Sequence, residues 1–515
     1  MTRAVELFHA ARWNEPLIMD MTSPGERGVM PPAVDAAIAK AVGDVAGSLP
    51  AGVRRNSLPK LPEMSQPQVL RHYLRLSQMC MGADVTSDMM GTCTIKYSPK
   101  VHEHLVRQPW VWDLHPLQDD DTIQGILEIM YNFERMMCAI SGMDAFTFEA
   151  GSGAQGIYAN ACLIRKYHES RGEGDRRTEM LTTAFSHPAD AAAPAVAGYR
   201  VITLMPGERG YPEVGAVKAA ISERTAGLMM TNPEDTGIYN RDIKEIVDLV
   251  HRAGGLCAYD QANGNGMLGI VRAGDTGFDL CQFNLHKTFS APHGAVGQGC
   301  AAVGVKKAVA AYLFGPVIEF DGKRYRIKGE RREAIERIRS FLGNIQTVVK
   351  AYAWVMSLGP EGMKAVAETA VLNSNYMLEG IRKLRGVTIP WPKNKYRRME
   401  QIRYSMEKLH AETGITAHDV MWRMIDYGVQ HFMLSHHPML VAEPFTIEPG
   451  ESYTVDELDE YVEILRRIID EAYNDPDVVK TSPHRASVTK IDEVAIDDPK
   501  CWAFTHRGFL RKSAG

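Results

Sequence analysis

Ala258-Tyr259-Asp260 and Cys281-Gln282-Phe283-Asn284-Leu285 are two short apolar runs separated by a glycine-rich segment. Apolar runs of this length between Gly and Asp residues are typical of buried β-strands. The second run leads directly into His286-Lys287-Thr288, so a lysine leaves the end of a buried strand. Asp260 ends the first run, at the edge where open parallel sheets bind ligands. The two runs therefore predict an α/β fold with a ligand site at that edge.

Lys287 and Asp260 are the candidate catalytic pair. Burial favours the neutral form of an amine, which can attack a carbonyl group and form a Schiff base. A carboxylate at a strand end can keep a pyridinium nitrogen protonated, and these two contacts turn pyridoxal 5'-phosphate into an electron sink. Either residue alone is more commonly a surface lysine or a turn-capping aspartate. The prediction therefore needs a third element.

That element is the loop Gly151-Ser152-Gly153-Ala154-Gln155-Gly156, which follows a predicted strand at 145–148 and opens a helix. The free N–H groups and the dipole of a helix start attract phosphate, and glycines let the backbone approach it. The same letters match the G-x-G-x-x-G pattern of dinucleotide-binding domains, which requires an acidic residue at the end of the next strand. Here the next strand, 180–184, runs into Phe185-Ser186-His187. The phosphate interpretation is therefore favoured.

Two further predicted strands end close to candidate cofactor contacts. The imidazole of His187 could stack on a cofactor ring, although a buried histidine bonded to the backbone gives the same sequence signal. Thr231 or Asn232 could contact a ring hydroxyl, with a plain turn as the alternative. Three histidines near the C-terminus match no standard ligand spacing, so we predict no metal and expect them at the mouth of the site: His431, His436 and His437.

Alternating strand and helix signals between residues 145 and 305 predict a mainly parallel sheet covered by helices. The charged stretch 328–339 predicts a solvated helix, a long helix is expected over 345–378, and further helices are expected near 400–412 and 417–427. The predicted division is an N-terminal arm that wraps a partner subunit (1–110), a large cofactor-binding domain (111–340), a smaller α+β domain (341–480) and an irregular tail (481–515).

Composition excludes several classes of function. The chain has 515 residues and a formal net charge of -5, so no basic surface for nucleic acid is expected. No apolar run at the start or elsewhere reaches the length of a membrane span, and we expect a cytoplasmic protein. The eight cysteines form no Cys-x-x-Cys pairs, which indicates reduced thiols and neither a disulfide framework nor a zinc site.

The chain resembles the subunit 2 family (β subunit) of the glycine cleavage P-protein, glycine dehydrogenase (decarboxylating), over nearly its whole length. The motifs that carry this resemblance occur in order along the chain, and they include Gly91–Lys100, Leu114–Gln118, Ser141–Ala145, Asn284–Gly294, Arg339–Asn344 and Ile447-Glu448-Pro449. The resemblance implies a fold-type I, aspartate aminotransferase-like enzyme with pyridoxal 5'-phosphate.

The resemblance also implies roles for individual residues. Lys287 is the implied Schiff-base lysine, Asp260 the pyridinium partner, Ala262 the packing under the ring and His187 the stacking imidazole. The implied phosphate cradle consists of Ser152, Gly153, Ala154 and Gln155, and His286 is a further candidate beside the phosphate. The implied substrate loop contains His293 and Gly294. Asn232 remains the candidate for the ring hydroxyl.

The chain departs from the family pattern around the site. Ala295, Val296 and Gln298 interrupt a run of glycines, and His187-Pro188-Ala189-Asp190-Ala191-Ala192-Ala193 replaces His-Gly-Thr-Asn-Pro-Ala-Ser. The acidic turn Glu234-Asp235-Thr236 replaces a more neutral one. The candidate cofactor-binding residues match the family pattern, whereas residues expected to surround the site differ from it.

Three functions remain open at this point. The resemblance favours decarboxylation of an amino acid, glycine first, with the aminomethyl group passed to a lipoyl carrier (H-protein) and with an α-subunit partner. The alternatives are a stand-alone decarboxylase or C–C lyase of specialised metabolism, and a non-catalytic structural subunit. A dimer-based oligomer, homodimeric or heterodimeric, is implied by the resemblance alone.

Overall fold

The computed structural model describes residues 5–55, 57, 59–82, 84–91, 97–115, 117–293, 297, 299–431, 433–436 and 440–513. The chain forms two compact units. The larger unit comprises residues 1–6 and 86–480, and the smaller one comprises residues 7–85 and 481–515. The four-part division at residues 110, 340 and 480 stays a prediction.

The helices of the described chain are α1 Ala36–Val42, α2 Val45–Ser48, α3 Gln66–Met79, α4 Lys100–Val106, α5 Pro109–Trp112, α6 Gln124–Ser141, α7 Gly153–Ser170, α8 Ala189–Val196, α9 Val214–Ala220, α10 Ile243–Arg252, α11 Ala273–Thr276, α12 Ile345–Ile381, α13 Glu407–Thr413, α14 Ala417–Ile425, α15 Val455–Asn474, α16 Pro476–Lys480, α17 Glu493–Asp497 and α18 His506–Ser513. Helix α12 is kinked at Gly359, whose φ of 63° lies outside the helical region. Among the described residues, no helix combines the length and the apolar character that crossing a membrane requires.

The larger unit is built on a seven-stranded sheet of β1 Ala145–Ala150, β2 Glu179–Thr183, β3 Arg200–Leu204, β4 Thr225–Thr231, β5 Leu256–Asp260, β6 Leu280–Asn284 and β7 Ala301–Val305. The strand order is β1-β7-β6-β5-β4-β2-β3. Only β7 runs against its neighbours, β1 and β6, and the other pairs are parallel. The predicted mainly parallel α/β sheet is confirmed.

Both faces of this sheet are covered, which explains why its central strands read as continuous apolar runs. On β5, Cys257 and Tyr259 belong to the core that packs with α6 and α10. Leu256 and Ala258 point into the core on the other face, which packs with α7. This alternation with a period of two follows from strand geometry.

A second core lies around α14, α15 and a two-stranded pair, β10 Ile402–Ser405 and β11 Pro444–Ile447. Apolar residues of α15 recur at helical spacing, and a capping box formed by Thr454 and Glu457 starts this helix. The smaller α+β part predicted after residue 341 therefore has its own core.

Several predictions of local structure are wrong. The charged stretch 328–339 forms no helix, because residues up to Glu330 pair as strand β9 Tyr325–Glu330 with β8 Pro316–Phe320. The helix expected near 400–412 starts only at Glu407, since residues 402–405 form β10. The region after 481 contains the short helices α17 and α18 rather than a wholly irregular tail. In the first two segments, strand pairing outweighs the local helical signal.

Parallel pairing places the strand ends together. In the register of the sheet, Thr231 of β4 lies beside Asp260 of β5, and Asp260 lies beside Gln282 of β6. Residues that follow these three strands therefore meet at one edge, where the functional site is expected.

Candidate functional site

A cavity opens at the carboxyl edge of the sheet. It is enclosed mainly by residues that follow β2, β4, β5 and β6, with further walls from the chain around residues 400 and 436. The lining residues are His187, Thr231, Asn232, Pro233, Asp235, Asp260, Ala262, Asn263, Met267, Lys287, Glu400, Gln401 and His436.

Lys287 reaches this cavity from a tight turn just beyond β6. Its backbone N–H donates to the Asn284 carbonyl at 3.0 Å, and its carbonyl accepts from Ser290 N–H at 3.0 Å. The next residue, Thr288, accepts from Gly264 N–H at 2.9 Å through its hydroxyl, which ties this turn to the loop after β5. Lys287 is only 8% exposed. The turn therefore presents a shielded amine at a fixed position.

Asp260 faces the same cavity from the end of β5. Its Oδ1 accepts hydrogen bonds from Ala262 N–H at 2.8 Å and from the Gln282 amide. Its Oδ2 receives no hydrogen bond from an amide or hydroxyl within the described chain. Burial raises the pKa of Asp260, and the Ala262 N–H and the Lys287 charge oppose that rise. A buried carboxylate with acceptor capacity left over fits a ring N–H of pyridoxal phosphate.

His187 forms a neutral aromatic wall of the cavity. Its Nδ1 accepts from Ala189 N–H at 3.1 Å, which places the ring proton on Nε2. Burial first, and then the nearby Lys287 and His436, lower the pKa of His187 to about 3. Its ring lies edge-on to His436, with centroids 4.8 Å apart. An uncharged imidazole in this position suits packing on a ring better than acid catalysis near neutral pH.

The predicted phosphate cradle lies where α7 starts. The Ser152 hydroxyl accepts from Gln155 N–H at 3.2 Å, and the Gln155 side chain accepts from Gly151 N–H at 2.7 Å. A Cβ atom on Gly153 would lie 2.6 Å from Asn284 Oδ1. Glycine at 153 thus lets the helix start approach the end of β6, the strand that leads to Lys287. This helix start fits an anionic phosphate group.

His286 lies beside this cradle. Its Nδ1 lies 3.1 Å from the Cys300 carbonyl, and its ring centroid lies 4.8 Å from that of His293. Burial, the Lys287 charge and His293 lower the pKa of His286 to about 3. A neutral His286 is consistent with a supporting position next to the predicted phosphate site.

The remaining predicted residues have different surroundings. The Asn232 side chain bonds both backbone groups of Asn240, accepting at 2.8 Å and donating at 3.2 Å, so the loop already uses this amide. Ala262 is 9% exposed and lines the cavity. Gly294 lies outside the described residues.

Other residues at or beside the cavity were not among the predicted site residues. Asp235 forms a buried ion pair with Arg403 of β10 and lies 3.6 Å from His436 Nδ1. Burial and the neighbouring Glu448 raise the pKa of Glu400 to about 8. Arg339 places its guanidinium against Gly151 at the cradle. Arg403, Glu400 and Arg339 are distant from the strand ends in sequence, so local pattern did not indicate them.

The three histidines of the C-terminal part separate in the structure. His436 lines the cavity, as expected for the mouth of a site. His431 is buried and lies 3.0 Å from the Tyr461 hydroxyl in the second core. His437 lies outside the described residues.

An amine and a carboxylate that face one cavity from adjacent parallel strands, beside a helix start, are the arrangement of fold-type I pyridoxal phosphate enzymes. Solved structures share this fold. A glycine decarboxylase (P-protein) of the glycine cleavage system in inhibitor-bound form matches with a TM-score of 0.72 at 18% identity, covering 85% of this chain and 100% of that one. A cysteine desulfurase from Thermococcus onnurineus matches with a TM-score of 0.59 at 14% identity, covering 76% and 99%.

Proteins of similar sequence identify the family within this class of enzymes. A probable glycine dehydrogenase (decarboxylating) subunit 2 from Pyrococcus furiosus is 40% identical over 95% of both chains. The corresponding proteins of Thermococcus kodakarensis and Aeropyrum pernix are 41% and 37% identical over 95% and 96% of both chains. The family described as "Glycine dehydrogenase, C-terminal domain" matches residues 366–485. The chain belongs to the glycine dehydrogenase (decarboxylating) subunit 2 family.

Proposed function

We propose that this protein binds pyridoxal phosphate and decarboxylates glycine as one subunit of a glycine-cleavage enzyme, passing the aminomethyl group to a lipoyl carrier. The observation that carries the proposal is the placement of Lys287 and Asp260 at one buried cavity. Family membership along 95% of the chain supports the choice of glycine.

The residues of this chain would hold the cofactor at three points. The Lys287 amine would attach its aldehyde carbon, and Asp260 would hold the proton on its ring nitrogen. The helix start at Ser152 and Gly153 would bind its phosphate group. When bound, pyridoxal phosphate supplies a ring that accepts the electron pair left by a departing carboxylate.

The residues that line the cavity would control water access and electrostatics around that ring. The neutral His187 would pack against the ring and help to exclude water, which strengthens electrostatic contacts inside the cavity. Burial of Asp260 would also strengthen its contact with the ring nitrogen, because charges interact more strongly where the local dielectric is low. These residues orient the substrate bond and stabilise charge.

Exchange of labelled bicarbonate into the carboxyl group of glycine tests the proposal. The purified chain is combined with a subunit 1 homologue and a lipoylated carrier protein. Exchange should depend on all three proteins and on Lys287. Retention of full exchange by Lys287→Ala, or turnover of a different amino acid without the carrier, would overturn the assignment. Lys244→Ala is the matched control, since this lysine is an exposed residue of α10 that pairs with Asp248.

The partner subunit is also part of the proposal. Helix α1 has no buried residue, and Val34, Ile38 and Val42 are 58–70% exposed. Exposed apolar surface of this kind indicates contact with another protein. We infer that residues 29–53 pack against the partner subunit. Ile38→Glu should weaken the complex with subunit 1 in size-exclusion chromatography, whereas Lys40→Glu on the same helix should leave it largely intact.

A further inference from the structure

Asp190 is a buried acid next to the proposed ring-nitrogen partner. It lies in the first turn of α8 and is 0% exposed, while Asp260 is 5% exposed. His187, whose carbonyl accepts from Asp190 N–H at 2.8 Å, lines the same cavity as Asp260, and the two carboxyl groups lie close enough to share a hydrogen bond. Within the described chain, neither oxygen of Asp190 accepts a hydrogen bond from an amide or hydroxyl group. Neither the phosphate cradle nor the lysine turn includes Asp190, so the roles described above do not account for it.

Two carboxyl groups can share a hydrogen bond only when one of them carries a proton. Burial and the Asp260 charge raise the pKa of Asp190 well above its usual value, and the His187 backbone offers the opposing contact. Asp260 instead accepts from the Ala262 N–H and the Gln282 amide and lies near the Lys287 charge, so its ionised form is better stabilised. The proton of the pair therefore belongs to Asp190, and Asp260 is the ionised member.

We propose that Asp190 is a positioning residue that donates a hydrogen bond from its neutral carboxyl group to Asp260, holding Asp260 ionised and oriented toward the ring nitrogen of the cofactor. The second half of this statement rests on the proposed binding of pyridoxal phosphate. A carboxylate has about four acceptor positions. Ala262 and Gln282 occupy two of them, so one is available for Asp190 and one for the ring.

Asparagine is the nearest neutral substitute for a protonated Asp190. An asparagine amide and a protonated aspartic acid are both neutral donors of similar size. They differ in one respect, because the acid can lose its proton at high pH and then repel Asp260. Within the described chain, Lys287 acts on Asp260 through its charge, and the His187 backbone contacts Asp190. In this chain the ring-nitrogen contact therefore becomes sensitive to alkaline pH.

The first test uses the cofactor-free protein, so its result does not depend on the proposed function. Infrared difference spectra at neutral pH are compared between the wild type and Asp190→Asn. The variant should lose one C=O stretching band of a protonated carboxyl group. Glu234→Gln supplies the reference band of another buried acid, since burial raises the pKa of Glu234 to about 8. Retention of every such band in Asp190→Asn would show that Asp190 is ionised and would overturn the proposal.

The second test follows cofactor binding. Asp190→Asn keeps a neutral donor, so its affinity for pyridoxal phosphate should stay within about threefold of wild type, with a cofactor absorption spectrum that changes less between neutral and alkaline pH. Asp190→Leu removes the donor and should weaken affinity by about tenfold, as expected for one hydrogen bond to a charged group. Equal losses in both variants would indicate a packing role and overturn the proposal. The comparison of Asp190→Asn with wild type remains decisive if Asp190→Leu does not fold.

Discussion

Arg423 in the C-terminal part and Asp260 at the sheet edge are both buried charges, but their surroundings differ. Arg423 donates to both Glu471 oxygens at 2.8 Å and to Asp426 at 2.9 Å. Burial alone would lower the pKa of Arg423, yet its bonds to Glu471 and Asp426 outweigh burial and raise it. Within the described chain, Asp260 forms no ion pair of this kind, and burial raises its pKa.

The difference separates a structural charge from a functional one. A buried ion pair with every partner in place holds two helices, α14 and α15, in one arrangement. A buried carboxylate with acceptor capacity left over is energetically costly in the empty protein, and a ligand can offset that cost on binding. Shifted acids around a cavity therefore mark the functional site, whereas the satisfied cluster marks the core.

Lys287→Ala should give the largest effect, because it removes the proposed covalent attachment. Glycine–bicarbonate exchange should fall by about 10³-fold or more, as is usual when a covalent catalyst is deleted. The unfolding midpoint of the cofactor-free protein should change little. A large loss of stability with unchanged exchange would show that Lys287 has a structural role, like Arg423, and not a catalytic one.

Arg423→Met tests whether the buried ion pairs of Arg423 stabilise the fold. It leaves the fully buried Asp426 and the half-buried Glu471 without their cation, which should destabilise the protein by about 3–5 kcal/mol. Denaturant titration followed by circular dichroism measures this change. The matched control is Arg466→Ala on α15, whose pair with Glu463 is exposed and should contribute at most about 1 kcal/mol. Similar losses in the two variants would contradict the argument.

His187 predicts how stability depends on pH. Its pKa is about 3 in the folded protein against an ordinary value of 6.5, so the unfolded chain binds a proton that the folded one does not. Stability from this residue is present above pH 6.5 and is lost as the pH falls toward 3, by at most about 1.4 kcal/mol per pH unit. His187→Gln should flatten the curve of unfolding free energy against pH in this range. An unchanged slope would show that His187 is not buried in the neutral form.

Ser152→Ala should give the smallest effect. Losing the cap of α7 should cost about 1 kcal/mol of stability, and losing a phosphate contact should weaken pyridoxal phosphate binding by about fivefold. Thr454→Ala removes the cap of α15 in the other region and should cost similar stability without changing cofactor affinity. Thermal unfolding and fluorescence titration separate the two. Equal affinities of the two variants for pyridoxal phosphate would show that Ser152 does not contact the phosphate group.

The strand-end residues were predictable because their signal is local. Buried strands at 256–260 and 280–284 follow from apolar runs, and parallel pairing then brings Asp260 and Lys287 to one edge. Residues 328–339 show the opposite case, since their charge pattern favoured a helix while pairing with β8 made part of them a strand.

The order of amino acids alone indicated the layered α/β fold, the cofactor class and the lysine–aspartate pair, because each depends on a few neighbouring residues. Folding in three dimensions decided which distant residues wall the cavity, such as Glu400 and Gln401, and the contact of Asp190 with Asp260. Burial and proximity set the protonation of these groups. Both properties arise from residues far apart in the chain, so no local pattern could report them.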